Sequence, residues 1–232
     1  MPAGSDAVTV LRLDRSIALL SFEGLSLVAP GERPSRLQSI LRRATGRQDI
    51  AVSRRPSRRP CLKPPLPELG ISASHRGVAS VIGFSDCCAV GVDIEMPPRT
   101  AAFDPYRMGR DHYARAEGVA IAGLEGEAAL SLFLLLWVAK EALLKVSGQG
   151  IVDGLARPDL SRYLDALISG ARCSGFAMLE GRDAEVVVTV VRRSGEVPLY
   201  VALAQQSDTC ATSPSQTRLA SGSFGAVTRF VT

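Results

Sequence analysis

The sequence predicts an α/β protein whose two halves each end in a β-hairpin after helical material. Short runs rich in Val, Ile and Leu bounded by turn residues predict the strands. A long apolar run over residues 127–146 predicts the main helix. No residue-level repeat relates the halves. The 232 residues, 46% hydrophobic and 22% charged, suffice for a sizeable core and read as one compact unit. An N-terminal half spans 1–98 and a C-terminal half spans 99–205. Residues 206–232 hold ten Ser or Thr in 27 with little periodicity, and are expected to form a mobile tail.

In chain order, "AVTVLRL" and "SIALLSF" read as two strands around the turn-like "DRS". In "PSRLQSILRRATG", Leu37, Ile40 and Leu41 have helical spacing and Gly46 is a stop signal. The Pro- and Arg-rich "RQDIAVSRRPSRRPCLKPPLPELG" is expected to be extended rather than regular. "GVASVIGF" and "AVGVDIE", separated by "SDCC", read as a hairpin. "MPPRTAAFDPYRMGRDHYARAEG" reads as loop and short helix. Residues 127–146 are apolar all round in their first half and amphipathic in "VAKEALLK", as for a helix that leaves a core toward its end. "AEVVVTVVRRSGEVPLYVALAQQ" is the closing hairpin.

The opening residues show no basic leader before an apolar core, so no secretory signal is expected. The apolar run 128–139 is shorter than the ~18 residues of a membrane span. Five cysteines show no metal-ligand spacing, and adjacent Cys87 and Cys88 cannot form a C-x-x-C clamp, so a reducing cytoplasm is expected. From Arg33 to Lys63 there are ten Lys or Arg against one acid, Asp49, a local charge of +9 in a chain of net charge +4. Such a field suits an anionic ligand or partner, or is a solvated basic loop.

In "GVDIE", alternation sends Val92 and Ile94 to one face and Asp93 and Glu95 to the other. Two carboxylates at i and i+2 lie roughly 6–7 Å apart at the backbone, close enough to share a hard cation such as magnesium, or to form a solvent-facing strand edge. In "WVAKEALLK", Trp137, Glu141 and Lys145 share a helix stripe, with Lys140 about 100° away from Glu141. Glu141 and Lys145 are also spaced as an ordinary surface ion pair. In "GISASHRG", Ser74 and His75 could hydrogen-bond to phosphate or mark a turn. Two histidines exclude a three-histidine zinc site, and no G-x-S-x-G elbow or G-x-x-x-x-G-K-[ST] loop occurs.

Taken in order, "RRPC…SASHRG…GVDIE…WVAKEALLK" resembles the Sfp-type, or group II, 4′-phosphopantetheinyl transferases. That family shows a G-[KR]-P element, an S-H pair, G-[IV]-D-[IVL]-E and W-x-x-K-E-[AS]-x-x-K. The last two are matched in full at Gly91 to Glu95 and Trp137 to Lys145. Three positions depart from the pattern. Arg58 replaces the glycine before Arg59 and Pro60, Ser72 stands where Asn is usual, and Arg76 follows His75 where a small residue is common.

The resemblance implies a pseudo-two-fold fold of two similar halves, each an antiparallel sheet packed on helix. It implies Mg²⁺-dependent transfer of the 4′-phosphopantetheine arm of coenzyme A to a carrier-protein serine, releasing adenosine 3′,5′-bisphosphate. Asp93, Glu95 and Glu141 would hold the metal, with Glu141 also the base that takes the serine proton. Lys145, supported by Lys140, would bind the pyrophosphate. Arg55, Arg59, Pro60, Ser74 and His75 would contact the coenzyme, with Arg33 or Arg36 nearest to a 3′-phosphate role. An acidic apo acyl or peptidyl carrier protein is the expected partner, with no nucleic acid, no membrane and a monomeric enzyme. The alternatives are a catalytically impaired relative and a basic nucleic-acid binder. No Phe, Tyr or Trp between Phe22 and Phe84 supplies stacking platforms for the latter.

Overall fold

The computed structural model describes residues 8–13, 16–21, 29, 31–45, 48–54, 60–63, 69–85, 87–100, 102–148, 155–177, 183–192 and 197–207. The first sheet contains β1 (Val8–Leu13), β2 (Ser16–Ser21), β5 (Gly70–Arg76) and β6 (Ala79–Ser85) in the order β1-β2-β6-β5. The second contains β7 (Val90–Glu95), β8 (Cys173–Ala177), β9 (Asp183–Val191) and β10 (Leu199–Gln206) in the order β7-β10-β9-β8. All their pairings are antiparallel.

Two helices cover the outer faces. Helix α1 (Arg33–Thr45) places Leu37, Ile40 and Leu41 against Ile17, Leu19, Ile82 and Phe84 of the first sheet. Between the sheets, Leu11, Leu20 and Val81 meet Val92, Ile94, Val201 and Leu203. On the far side, helix α4 (Gly126–Ser147) buries Leu132, Leu136 and Leu143 with Val186, Val188, Tyr200 and Ala202. The layers therefore run helix, sheet, sheet, helix, and each strand alternation serves two apolar interfaces. This is the two-half α/β architecture that the resemblance implies.

Short helices α2 (Pro105–His112) and α3 (Arg115–Ala122) lead into α4. Asp104 caps α2 by accepting from the backbone N–H groups of Tyr106 and Arg107, which satisfies amides the helix cannot. A short 3-10 turn, Ser161–Tyr163, and α5 (Leu164–Ile168) lead from α4 toward β8. No helix among the described residues is long and apolar enough to cross a membrane. Cys87, Cys88 and Cys173 are free thiols.

Two local expectations are corrected. The segment expected to be merely extended contains a hairpin of β3 (Ala51–Arg54) and β4 (Pro60–Lys63). Proline tolerates its place there because it opens the strand. The expected β6–β7 hairpin does not form: β6 pairs with β2 and β5, whereas β7 pairs with β10. The "SDCC" connector carries the chain from one sheet to the other, because β7 has two faces to bury. The second sheet thus begins inside residues 1–98. The expected tail lies outside the described residues beyond Ser207.

Candidate active site

Helix α4 is apolar over most of its circumference, so it buries deeply, and it ends at Gly148, whose φ of 78° is the left-handed geometry that glycine tolerates. On β7, Val92 and Ile94 enter the inter-sheet core, so alternation turns Gly91, Asp93 and Glu95 toward α4. The missing side chain of Gly91 permits close approach. A Cβ there would stand 2.0 Å from the Ala142 carbonyl oxygen. The glycine of G-V-D-I-E is therefore a packing residue that brings Asp93 within reach of the last turn of α4.

Lys145 Nζ donates to Asp93 Oδ1 at 2.7 Å and to the Val92 carbonyl at 2.9 Å. The strand β5 lies beside β7 as the edge of the other sheet. Ser72 Oγ accepts the Val92 N–H at 3.1 Å, satisfying an edge amide, and Ser74 Oγ donates to Asp93 Oδ1 at 2.8 Å. Two residues further along, Arg76 Nε pairs with Glu95 Oε2 at 2.9 Å. Glu141, four residues before Lys145, is buried and forms no ion pair or hydrogen bond with the described residues.

Burial raises all three carboxyls above their ordinary values. For Asp93, the Lys145 ammonium and the Ser74 hydroxyl oppose the rise. For Glu141, the charge of Asp93 adds to burial, Lys145 opposes, and Glu95 adds further. Glu95 is raised by burial against Arg76, with Asp93 adding. Asp93 bears on both Glu95 and Glu141, and Glu95 bears on Glu141, a gathering of negative charge that favours a nearby cation.

Asp93 Oδ2 is buried without a hydrogen-bond partner among the described residues, an arrangement that costs free energy unless something else satisfies it. A hard divalent cation suits this oxygen. Among the described residues no three His, Cys, Asp or Glu side chains lie together so as to hold a metal ion between them. An ion here would take one or two carboxylates and complete its shell with water and ligand oxygens, the mode magnesium favours. The donor set fits such an ion.

Lys140 is not brought to this cluster. Its side chain is fully buried, pairs with the equally buried Glu117 at 2.8 Å, and donates to the Pro158 carbonyl. It also lies 5.3 Å from the Tyr113 ring centroid. The 100° turn between neighbouring helix residues explains the separation: Glu141 faces β7 while Lys140 faces α3. Glu117 also accepts from the Ala114 and Leu160 amides. This buried pair joins α3, α4 and the segment before the 3-10 turn, correcting the expected support of Lys145. Trp137 packs toward Phe133 and the core.

His75 is exposed on β5 and, by alternation, faces away from Ser74 and Arg76. Pro60 opens β4 opposite Arg54, while Arg55 and Arg59 lie outside the described residues. Arg33 and Arg36 lie at the start of α1. Sequence reasoning missed Arg76 as a partner of Glu95 and Glu117 as a partner of Lys140. The Ser72, Ser74, Arg76 alternation was a signal for the first, but only the neighbouring β7 gives it meaning. A cavity of about 680 Å³ between α2 and α3, edged by Tyr106, Arg110 and Arg115, is lined by none of the acidic-cluster residues.

Residues 89–177 match the family model described as the 4′-phosphopantetheinyl transferase superfamily. Over 97 residues the chain is 36% identical to a protein of Synechocystis sp. whose name provisionally gives it as a 4′-phosphopantetheinyl transferase. That similarity covers 40% of this chain, and the chain spans 38% of that relative's length. The family match takes in β7 and α4, hence Asp93, Glu95, Glu141 and Lys145, and leaves β5 outside.

Proposed function

We propose that this chain, whose residues 89–177 match the family model described as the 4′-phosphopantetheinyl transferase superfamily, transfers the 4′-phosphopantetheine arm of coenzyme A to a serine of an apo carrier protein. The observation that carries the reading is the junction of β7 and α4. Asp93, with one buried oxygen unsatisfied, lies against Lys145 and within electrostatic reach of Glu141.

In this reading Asp93, Glu95 and Glu141 form the acidic cluster that would attract Mg²⁺, with one or two of these carboxylates as its direct ligands and water and ligand oxygens completing the shell. When bound, the ion supplies positive charge opposite the coenzyme's pyrophosphate. The serine Oγ attacks the phosphorus next to the pantetheine arm. The bond from that phosphorus to the bridging oxygen breaks, and adenosine 3′,5′-bisphosphate leaves with the bond's electrons. Glu141 accepts the serine proton, directly or through one water, standing beside Asp93 and Lys145 where the nucleophile would arrive. Lys145, anchored by Asp93 and the Val92 carbonyl, presents its ammonium to the charge that develops on the leaving phosphate. Phosphoryl transfer asks mainly for such positioning and charge neutralisation.

Ser74, His75, Arg55, Arg59 and Pro60 complete the proposed coenzyme contacts. The basic stretch from Arg33 to Lys63 supplies a field for its phosphates and for an acidic acyl or peptidyl carrier. The reading includes a monomeric enzyme working in the cytoplasm. Intact-mass spectrometry of an apo carrier incubated with the protein, coenzyme A and Mg²⁺ tests it. The expected result is a gain of about 340 Da that EDTA blocks. Folded protein that modifies no fatty-acid, polyketide or peptide carrier refutes transferase activity.

A further inference from the structure

The site holds a cation that neither the metal nor the substrate supplies. Alternation on β5 turns Ser72, Ser74 and Arg76 to one face, and each meets β7 in order, at Val92, Asp93 and Glu95. Ser74 contributes a neutral hydroxyl, whereas Arg76 contributes a full positive charge. This chain thus places a guanidinium beside Glu95.

The charges at the junction are then three negative, from Asp93, Glu95 and Glu141, and two positive, from Lys145 and Arg76. Lys145 is held by both a carboxylate and a backbone carbonyl. Arg76 has a side chain 48% exposed and meets Glu95, at 22%, through its Nε. An arginine so exposed can turn into solvent at small cost. Lys145 is thus a fixed cation and Arg76 a displaceable one.

Resting on the metal-site reading above, we infer that Arg76 competes with the divalent ion for Glu95 in the coenzyme-free protein, and so sets the metal affinity of the free enzyme. While the guanidinium sits on Glu95, an entering dication meets a cluster already partly neutralised. Anionic phosphate offers Arg76 another partner and releases Glu95. The geometry therefore couples metal binding to arrival of the coenzyme, because both draw on the same ion pair.

Mn²⁺ binding to the full chain without coenzyme, followed by the paramagnetic resonance of the free ion, tests this. Wild type, Arg76→Gln, Arg76→Lys and Asp93→Asn are compared. Arg76→Gln is expected to bind Mn²⁺ about two- to five-fold more tightly than wild type, the range set by a half-exposed ion pair. Arg76→Lys stays near wild type, Asp93→Asn loses the site, and the gain shrinks as salt rises. If Arg76→Gln binds as wild type does or more weakly while Asp93→Asn still loses the site, the competition is overturned and the metal site stands. If Asp93→Asn binds as wild type does, the metal-site reading falls and the inference with it.

Discussion

Replacing Gly91 by alanine puts a methyl group where α4 already lies. The new Cβ would stand 2.0 Å from the Ala142 carbonyl oxygen and 3.0 Å from the Val146 nitrogen. An ordinary carbon–oxygen contact needs roughly 1.4 Å more than the first of these, and both atoms are backbone, so the helix must move rather than a side chain. Overpacking of this kind costs about 1–3 kcal/mol. For a chain of this size that lowers the Tm by about 2–12 °C. The displaced turn carries Glu141 and Lys145. A shift of that size stretches the 2.7 Å contact of Lys145 with Asp93 beyond hydrogen-bond range. Misplacing a reacting group by about 1 Å can cost roughly 10²-fold in rate. Thermal unfolding by circular dichroism and the carrier-modification rate measure both effects. Gly31→Ala serves as control, since nothing lies within 4 Å of its added Cβ. Wild-type Tm and wild-type transfer in the Gly91→Ala protein would refute the packing argument.

Lys140→Met should destabilise the protein by about 3–5 kcal/mol, because it strands the buried Glu117 carboxylate. Adding Glu117→Gln should restore much of the loss, measured by chemical denaturation. Burial already raises Glu117 above its ordinary 4.5, with Lys140 opposing, so the single variant raises it further. For a carboxyl raised in the folded state, the favourable contribution is fully present below the unfolded value and is lost as pH rises through the folded one. The deficit of Lys140→Met should therefore be smallest below pH 4.5 and grow as pH rises through the raised folded value, and a pH-independent deficit would contradict the assignment. Glu141→Gln should lower transfer by about 10²–10⁴-fold. It should also leave the Tm at or above wild type, because it removes a carboxylate that burial and Asp93 disfavour. A large fall in Tm would make Glu141 a structural residue instead.

The elements that fold on their own pattern were legible in the sequence. The α4 helix follows from its long apolar run, and β9 and β10 follow from a Val-rich run and an apolar run separated by the turn-type residues of "RRSGEVP". The shared face of Asp93 and Glu95, and the stripe of Glu141 and Lys145, follow from periods of two and 3.6 alone. What a strand pairs with is not local information. The neighbours β6 and β7 both read as buried strands, and only the demand to bury two faces sends them to different sheets. The same limit hid the fates of two cations. Lys140 and Lys145 stand in one motif, yet a turn of about 100° per residue sends one to Glu117 and the other to Asp93. Arg76 became a partner of Glu95 only once the edges of two sheets met, because electrostatic contacts depend on distance through space and alternation sets only the face a side chain leaves from.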